Sequence, residues 1–339
     1  MKYQQIIDRK NVLVAGGAGF IGSHLCDTLV KNRNVICVDS FITGQEENID
    51  LLLQNPHFKF IKHDLTERLD PDTFPELEVF KVRFQGVQEI YNLACPTSPK
   101  QYNHLPIETL LANSDGTRNL LDLAERYGAR FLHGSSSAIY GDSPSEAPVK
   151  EDYWGFIDPI GPRSCYNEGK RFAESLVVNY GTHRQVNWRI ARIFNTFGPR
   201  MKLHDGRMIP DMVNHALTGR PLTVYGSPDE LSTFCYVTDM VDGLVKLMEY
   251  EAGGLFNLGA TEPMKLGDIA RSILKLSGAT VDVAVKPSPG FLGKQGVPHM
   301  AKATEQLGWF PLVPMEEGLR QTIDYFRAHQ NLLGLGPTA

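Results

Sequence analysis

Residues 12–22 read Val-Leu-Val-Ala-Gly-Gly-Ala-Gly-Phe-Ile-Gly, an apolar run that leads into glycines spaced three residues apart. The apolar run predicts a buried strand, and the segment after it predicts a helix. The first spaced glycine permits a tight turn, the second lets the backbone approach a pyrophosphate, and the third lets helix and strand pack closely. Free N–H groups at the start of the helix attract phosphates. The stretch therefore predicts a dinucleotide site with the cofactor-binding residues Gly16, Gly19, Phe20, Ile21 and Gly22.

Six further apolar runs alternate with longer segments of helical periodicity. The predicted strands are Val35–Val38, Phe58–Ile61, Ile90–Ala94, Arg130–His133, Val186–Ile190 and Leu255–Leu258. The main predicted helices lie around residues 21–32, 105–127, 165–181 and 238–251. Continuously apolar strands are typical of a sheet that is covered on both faces. The alternation therefore predicts an α/β fold, a doubly wound parallel sheet of the Rossmann type with about seven strands.

Composition excludes several classes of protein. The chain has 339 residues with 42% hydrophobic and 22% charged residues, and its formal net charge is −5. This small negative net charge argues against a protein that binds nucleic acid. No apolar run approaches the ~20 residues of a membrane helix, and the polar start does not resemble a secretory signal. Five scattered cysteines argue against a disulfide framework or a metal site, so we expect a cytoplasmic protein with reduced thiols.

Two aspartates extend the predicted dinucleotide site. Asp39 ends the second predicted strand, where a carboxylate accepts hydrogen bonds from ribose hydroxyls and repels a 2′-phosphate. This position favours NAD over NADP. Asp64 follows the third strand and has two interpretations, a contact with the adenine edge or the N-cap of a helix.

A second group of residues points to proton transfer. Tyr166 and Lys170 have the i, i+4 spacing that places both side chains on one face of a helix. A lysine ammonium near a phenol lowers the pKa of the phenol, which then removes a hydroxyl proton while hydride leaves the same carbon. Ser135–Ser137 follow the fifth strand, at the edge where such sheets bind ligands. We expect Ser137 to hold the reacting hydroxyl, and at least one of the three serines to cap a turn or helix.

These residues resemble the extended short-chain dehydrogenase/reductase superfamily, the NAD-dependent nucleotide-sugar epimerases and dehydratases. The motifs that carry the resemblance are Gly16–Gly22, Asn92–Ala94, Asn113–Thr117, Ser135–Ser137, Tyr166 with Lys170, and Asn195–Arg200. Within that superfamily the chain is most similar to the UDP-glucuronate decarboxylases (UDP-xylose synthases). The stretches typical of them are Cys95–Pro99, Glu151–Trp154, Asp158–Arg163, Cys165–Arg171, Ala191–Met201, Pro221–Gly226 and Leu307–Trp309.

The resemblance implies a tightly held NAD and a UDP-sugar that is oxidised at C4. The 4-keto hexuronate is a β-keto acid, so its carboxylate leaves readily. Further cofactor-binding residues implied by the resemblance are Leu93, Ala94, Asn113, Tyr166 and Lys170. The substrate-binding residues it implies are Pro96, Tyr102, Ser137, Asn195, Arg200, Arg207 and Tyr225. The helices near 105–127 and 165–181 resemble the pair that forms a four-helix bundle in a homodimer.

The sequence pattern also predicts a division into two parts. The alternating pattern breaks after residue 198, and the later segments mix short helices with loops. We expect an NAD-binding domain of residues 1–198 and 234–258, a nucleotide-sugar-binding lobe of residues 199–233 and 259–330, and a frayed tail of residues 331–339.

Three positions depart from the decarboxylase pattern. Ala138 replaces a glutamate, Ser232 replaces an arginine, and Gly296–His299 replaces a basic run. Oxidation at C4 needs none of these groups. Acid–base chemistry at C5 and C6, in contrast, would lack the two charged side chains, the glutamate and the arginine. A decarboxylase leads on overall likeness, and a nucleotide-sugar 4-epimerase or 4-dehydrogenase is the alternative. The intact Tyr166 and Lys170 argue against a non-catalytic binding protein.

Overall fold

The computed structural model describes residues 9–141, 148–289 and 296–329. Its centre is a parallel sheet in the order β11-β6-β5-β4-β1-β2-β3. The strands are β1 (Asn11–Ala15), β2 (Asn34–Asp39), β3 (Phe58–Lys62), β4 (Glu89–Asn92), β5 (Arg130–Ser136), β6 (Asn187–Ile193) and β11 (Gly254–Leu258). All seven predicted strands and the doubly wound fold are confirmed. The observed β5 and β6 extend three residues beyond the predicted ends.

Helices cover both faces of the sheet, which explains why its strands are apolar throughout. They are α1 (Phe20–Leu29), α2 (Asp50–Leu53), α3 (Val82–Gln85), α4 (Pro99–His104), α5 (Pro106–Leu111), α6 (Thr117–Tyr127), α7 (Ser164–Arg184), α8 (Met208–Leu217), α9 (Val237–Glu249), α10 (Leu266–Ser277), α11 (Ala301–Leu307) and α12 (Met315–Ala328). Short 3₁₀ turns span Glu46–Asn48, Pro71–Thr73, Pro75–Phe80 and Ser137–Tyr140. One apolar core joins α1 and α9 to the sheet, and another joins α6 and α7 to it.

The helix predicted around 105–127 is interrupted. A π-helical turn at Ala112–Gly116 separates α5 from α6. Inside the turn, Asn113 Nδ2 donates to the Thr109 carbonyl at 2.8 Å, and Thr117 Oγ1 donates to the Ala112 carbonyl at 3.3 Å. Side chains that bond to the backbone in this way compete with regular helical bonding, and π turns are frequent at functional sites.

The remaining strands form three small sheets outside the central one. They are β7 (Thr196–Phe197), β8 (Leu222–Tyr225), β9 (Leu231–Ser232), β10 (Cys235–Tyr236), β12 (Met264–Lys265) and β13 (Val283–Lys286). The strand pairs are β7 with β10, β9 with β12, and β8 with β13. A third apolar core gathers α8, β8, α10 and α12. The division of the chain into a domain and a lobe stays a prediction, and the predicted tail from residue 331 lies outside the described residues.

The topology fixes where a ligand binds. The strand order reverses between β1 and β4, and such a switch point opens a crevice at the carboxyl ends of the strands.

All five cysteines are free thiols. Among the described residues, no helix combines the length and the apolar character needed to cross a membrane. The same residues contain no group of three metal-ligating side chains.

Candidate active site

A large cavity of about 960 Å³ follows the carboxyl ends of the strands. The predicted site residues that line it are Gly16, Gly19, Phe20, Ile21, Gly22, Asp39, Asp64, Leu93, Ala94, Pro96, Tyr102, Tyr166, Lys170, Asn195, Arg200, Arg207 and Tyr225. Asn113 and Ser137 are absent from the lining. The fold therefore gathers residues from positions 16 to 225 around one space.

The glycine loop at one end of this cavity leaves no room for side chains. Gly16 has a φ of +75°, and a Cβ on it would lie 2.8 Å from the main chain of Leu93 and Ala94. A Cβ on Gly22 would lie 2.1 Å from the Gly16 carbonyl oxygen. Helix α1 begins directly after Gly19, with no side-chain cap and no acidic residue in its first turn. Its first N–H groups are therefore available to a phosphate.

Asp39 stands at the end of β2, as the sequence predicts. Its Oδ2 accepts a hydrogen bond from the Ala18 N–H at 3.0 Å, and its Oδ1 accepts one from the Phe41 N–H at 2.9 Å. Burial raises the pKa of this carboxyl, and the backbone donors oppose the rise. Each carboxylate oxygen retains a further lone pair, which suits a ribose hydroxyl. The glycine cradle, the uncapped helix and this carboxylate together fit NAD.

Asp64 shapes a turn beside the same end of the cavity. Its Oδ1 accepts hydrogen bonds from the Thr66 N–H at 2.9 Å and from Thr66 Oγ1 at 2.8 Å. No helix starts there, so the helix-cap interpretation is wrong. The adenine contact stays a prediction.

Tyr166 and Lys170 project from the first turns of α7. Tyr166 is 7% exposed and stacks on Tyr102, with ring centroids 5.1 Å apart. Burial raises the pKa of Tyr166 well above its ordinary value. Lys170 is 3% exposed, and its Nζ donates to the Gly134 carbonyl at 2.8 Å. The prediction that the pKa of this phenol is lowered toward neutrality is wrong for the site as it stands, because the effect of burial dominates.

The serine that meets Tyr166 is Ser136, not Ser137. The side chain of Ser136 interacts with Tyr166 and lowers the pKa of the phenol against the effect of burial. Ser136 Oγ also accepts from the Ala138 N–H at 3.1 Å and so caps the following turn. Ser137 Oγ is buried without a hydrogen-bond partner. The assignment of Ser137 is therefore corrected by one residue, because β5 continues to Ser136 and only that side chain faces the phenol.

Asn113 lies behind the cavity wall. It is 1% exposed, and its Nδ2 donates to the Sγ of Cys95, a cavity-lining residue, at 3.1 Å. A Cβ on Gly169 of α7 would lie 3.1 Å from the same Nδ2. Asn113 thus packs the π turn against the helix of Tyr166, and its predicted contact with the cofactor stays a prediction.

The cations predicted for the diphosphate are already paired with carboxylates. Arg200 has a φ of +65°, and its Nη1 lies 2.6 Å from Oδ2 of Asp27 on α1. Arg207 Nη1 lies 2.8 Å from Asp205 Oδ2. Asn195 Nδ2 donates to Ser232 Oγ at 3.0 Å.

One cavity-lining cation escaped the sequence analysis. Arg163 precedes α7, lines the cavity and is hydrogen-bonded to the side chain of Tyr102. Its Nε is buried without a partner. The signal was present, since Arg163 belongs to the quoted stretch 158–163 and lies three residues before Tyr166.

The three departures from the decarboxylase pattern lie in different places, and only Ala138 adjoins Tyr166. Ala138 is 4% exposed and belongs to a small apolar cluster with Tyr102, Cys165 and Tyr166. Ser232 lines the cavity on β9. His299 donates its backbone N–H to the Val149 carbonyl at 2.9 Å. No carboxylate occupies position 138 and no cation occupies position 232.

Comparisons with known proteins agree with this site. The model of the NAD dependent epimerase/dehydratase family matches residues 12–259. UDP-glucuronic acid decarboxylase 1 of Xenopus tropicalis is 43% identical over 328 residues, covering 96% of this chain and 74% of that protein.

Solved structures show the same architecture. The UDP-glucuronic acid 4-epimerase of Bacillus cereus, in complex with UDP-glucuronic acid and NAD, is 26% identical with a TM-score of 0.80, covering 94% of this chain and 99% of that one. The UDP-glucose 4-epimerase of Thermotoga maritima, with UDP-glucose, is 25% identical with a TM-score of 0.81 and the same coverage. The chain therefore belongs to the NAD dependent epimerase/dehydratase family and is an NAD-dependent enzyme of the extended short-chain dehydrogenase/reductase type.

Proposed function

We propose that the chain oxidises C4 of a UDP-sugar, with UDP-glucuronate as the leading substrate and loss of its carboxylate as the leading outcome. The observation that carries this proposal is that Ser136, Tyr166 and Lys170 lie together on the wall of a cavity that also contains a dinucleotide cradle. The decarboxylase relative supports the substrate and the outcome.

The glycine loop, Asp39 and Lys170 would hold NAD. When bound, NAD supplies an acceptor for the hydrogen that leaves C4 and a donor that returns it. Asp39 receives the ribose hydroxyls, and the start of α1 receives the pyrophosphate.

Tyr166 moves the proton. Its phenolate oxygen takes the proton of the C4 hydroxyl, while Ser136 Oγ holds the same hydroxyl in place. Lys170 contributes positive charge that favours the phenolate over the phenol. Because burial raises the pKa of Tyr166, we expect the rate to rise with pH until a phenolate forms.

The substrate's own ketone then drives the loss of carboxylate. The bond between C5 and C6 breaks, carbon dioxide departs, and the electron pair moves into the C4 ketone as an enolate. A proton at C5 completes the ketone, which is then reduced to the 4-hydroxyl. Arg163 is the cation nearest to Tyr166 in sequence among the cavity-lining arginines, and we assign it to the sugar end.

The nucleotide end is assigned to the remaining substrate residues. Arg200 and Arg207 supply guanidinium groups for the diphosphate, which competes with their carboxylate partners. Asn195 and Tyr225 face the nucleoside, and Pro96 and Tyr102 border the sugar.

A 4-epimerase is the second candidate. The apolar cluster at Ala138 and the neutral Ser232 remove charges that decarboxylases place near C5 and C6, whereas inversion at C4 needs only oxidation, rotation of the ketone and reduction. The epimerase of Bacillus cereus acts with UDP-glucuronic acid and NAD on the same fold.

A homodimer through a four-helix bundle belongs to the same proposal. The outer faces of α5 and α7 expose apolar side chains, including Ile107 at 60% and Phe172 at 52%. Such faces are typical of interaction surfaces. The cytoplasmic location predicted from the free thiols stays a prediction.

A panel of nucleotide sugars tests the function. The protein is incubated with UDP-glucuronate, UDP-glucose and a GDP-sugar, and the products are measured by mass spectrometry. Loss of carbon dioxide from UDP-glucuronate supports the decarboxylase, and a new isomer of unchanged mass supports the epimerase. No product and no reduced cofactor with any sugar would overturn the proposal.

A further inference from the structure

A buried carboxylate lies two turns beyond Tyr166 on the same helix. Glu174 is 9% exposed and is held by Arg192 of β6 through a two-pronged pair, Oε1 to Nε at 3.0 Å and Oε2 to Nη2 at 2.8 Å. Its Oε1 also accepts a hydrogen bond from Ser135 Oγ at 2.5 Å. Helix α7 and strands β5 and β6 are therefore joined at one point.

The ion pair continues into a network on its far side. Arg192 Nη1 donates to the Tyr140 hydroxyl and to the Glu151 carbonyl, each at 2.8 Å. The Tyr140 hydroxyl donates to Asn257 Oδ1 of β11 at 2.6 Å. Every prong of this guanidinium is thus bonded, which fixes the orientation of the Glu174 carboxylate.

The network ends at the reacting groups. Ser135 is the residue before Ser136, so anchoring its side chain fixes the end of β5 from which Ser136 reaches Tyr166. Lys170 lies one turn before Glu174 on α7. The titratable groups that face Lys170 are Glu174 on its own helix, Cys95 after β4, and His133 on β5.

We propose that Glu174 is a positioning residue for proton transfer, which orients Ser136 through Ser135 and places a buried negative charge one turn from Lys170. This inference rests on the proposed function, because it concerns the same C4 oxidation. Glu174 is not among the residues that line the cavity.

Burial and the counter-charges act on Lys170 in opposite directions. Burial lowers the pKa of Lys170, and Cys95 and Glu174 raise it. Removing the charge of Glu174 leaves Arg192 uncompensated as well, so the pKa of Lys170 falls further. Activity that needs a protonated Lys170 is then lost at a lower pH.

Two variants with matched controls test the inference in the full chain. Ser135→Ala removes one hydrogen bond and keeps the ion pair, and exposed Ser175→Ala on α7 is its control. Glu174→Gln removes the charge, and half-exposed Glu168→Gln is its control. We expect Ser135→Ala to lower kcat about tenfold while KM and NAD affinity change less than about twofold. We expect Glu174→Gln to move the alkaline limb of kcat/KM to lower pH.

The outcomes separate this inference from the proposed function. A Ser135→Ala protein with the kcat of Ser175→Ala overturns the positioning role, and an unmoved alkaline limb in folded Glu174→Gln overturns the charge role. If Glu174→Gln does not fold, Ser135→Ala decides. If the wild type turns over no nucleotide sugar, the proposed function has failed, and crystal structures of the wild type and Ser135→Ala then decide. The Ser136 side chain should leave Tyr166 in the variant, and an unchanged contact overturns the inference.

Discussion

The two ends of the cavity are built in different ways. The cofactor end is made by main chain and glycines within residues 11–39, which form one strand, one helix and one further strand. The reacting end is made by side chains that the fold brings from β5, α7 and the residue before α7. A local motif therefore fixes the first, whereas the second depends on contacts between separate elements.

The difference explains why family membership is clearer than the reaction. The cofactor end has no room for a side chain at Gly16 or Gly22, so its sequence is tightly constrained by its own geometry. The reacting end keeps Tyr166 and Lys170 but has Ala138 where the decarboxylases resembled by this chain have a glutamate, and the cavity wall has Ser232 where they have an arginine. Under the proposed function, such single side chains decide what happens to the 4-keto sugar.

The largest effect is expected from Tyr166→Phe. Loss of the phenol removes the proton acceptor, and such groups contribute about 10²–10⁴-fold to a rate. Turnover should fall by about 10³-fold, while NAD affinity, measured by fluorescence titration, stays within about twofold. Retained turnover would show that another group takes the proton.

Gly22→Ala tests the cofactor end of the cavity. Its Cβ would lie 2.1 Å from the Gly16 carbonyl, so the loop must move away from the pyrophosphate. NAD affinity should fall by about 10²-fold, as expected when a binding group is displaced by about 1 Å. Gly278→Ala is the control, because Gly278 has open space around it and lies outside the cavity lining, while its φ of +75° makes alanine strained there. It should cost stability alone, and equal losses of NAD affinity in both variants would contradict the cradle.

Two serine variants test whether Ser136 or Ser137 is the functional serine at the reacting end. Ser136→Ala removes the cavity-lining hydroxyl that interacts with Tyr166 and should lower kcat about 10- to 100-fold. Ser137→Ala removes a hydroxyl that has no hydrogen-bond partner and should lower kcat less than about threefold. Steady-state kinetics compare the two, and a larger loss at Ser137 would restore the original assignment.

The smallest effect concerns Asp39 and pH. Burial raises the pKa of this carboxyl, so protonation on lowering the pH removes acceptor capacity and weakens NAD binding. Asp39→Asn should weaken NAD about tenfold at neutral pH and remove the acid dependence of the affinity. Calorimetric titration across pH measures both, and an acid dependence that persists in Asp39→Asn would assign it to another group.

The sequence predicted the features that local patterns encode. The seven strands and the glycine loop follow from apolar runs and spacing, and the structure confirms them. Local patterns do not determine whether Ser136 or Ser137 is the functional serine, because this depends on where β5 ends and which side chain faces Tyr166. The bond from Lys170 to Gly134 and the pairing of Arg200 with Asp27 likewise join distant elements. Burial reversed the expected pKa shift of Tyr166, and spacing alone carries no information about burial.

Deuterium at C4 of UDP-glucuronate provides the most direct test of the central claim. If hydrogen leaves C4 at this site, deuterium at C4 should slow the first appearance of reduced cofactor in a single turnover, and deuterium at C3 should leave it unchanged. Product formation with no reduced cofactor and no effect of deuterium at C4 would contradict oxidation at C4.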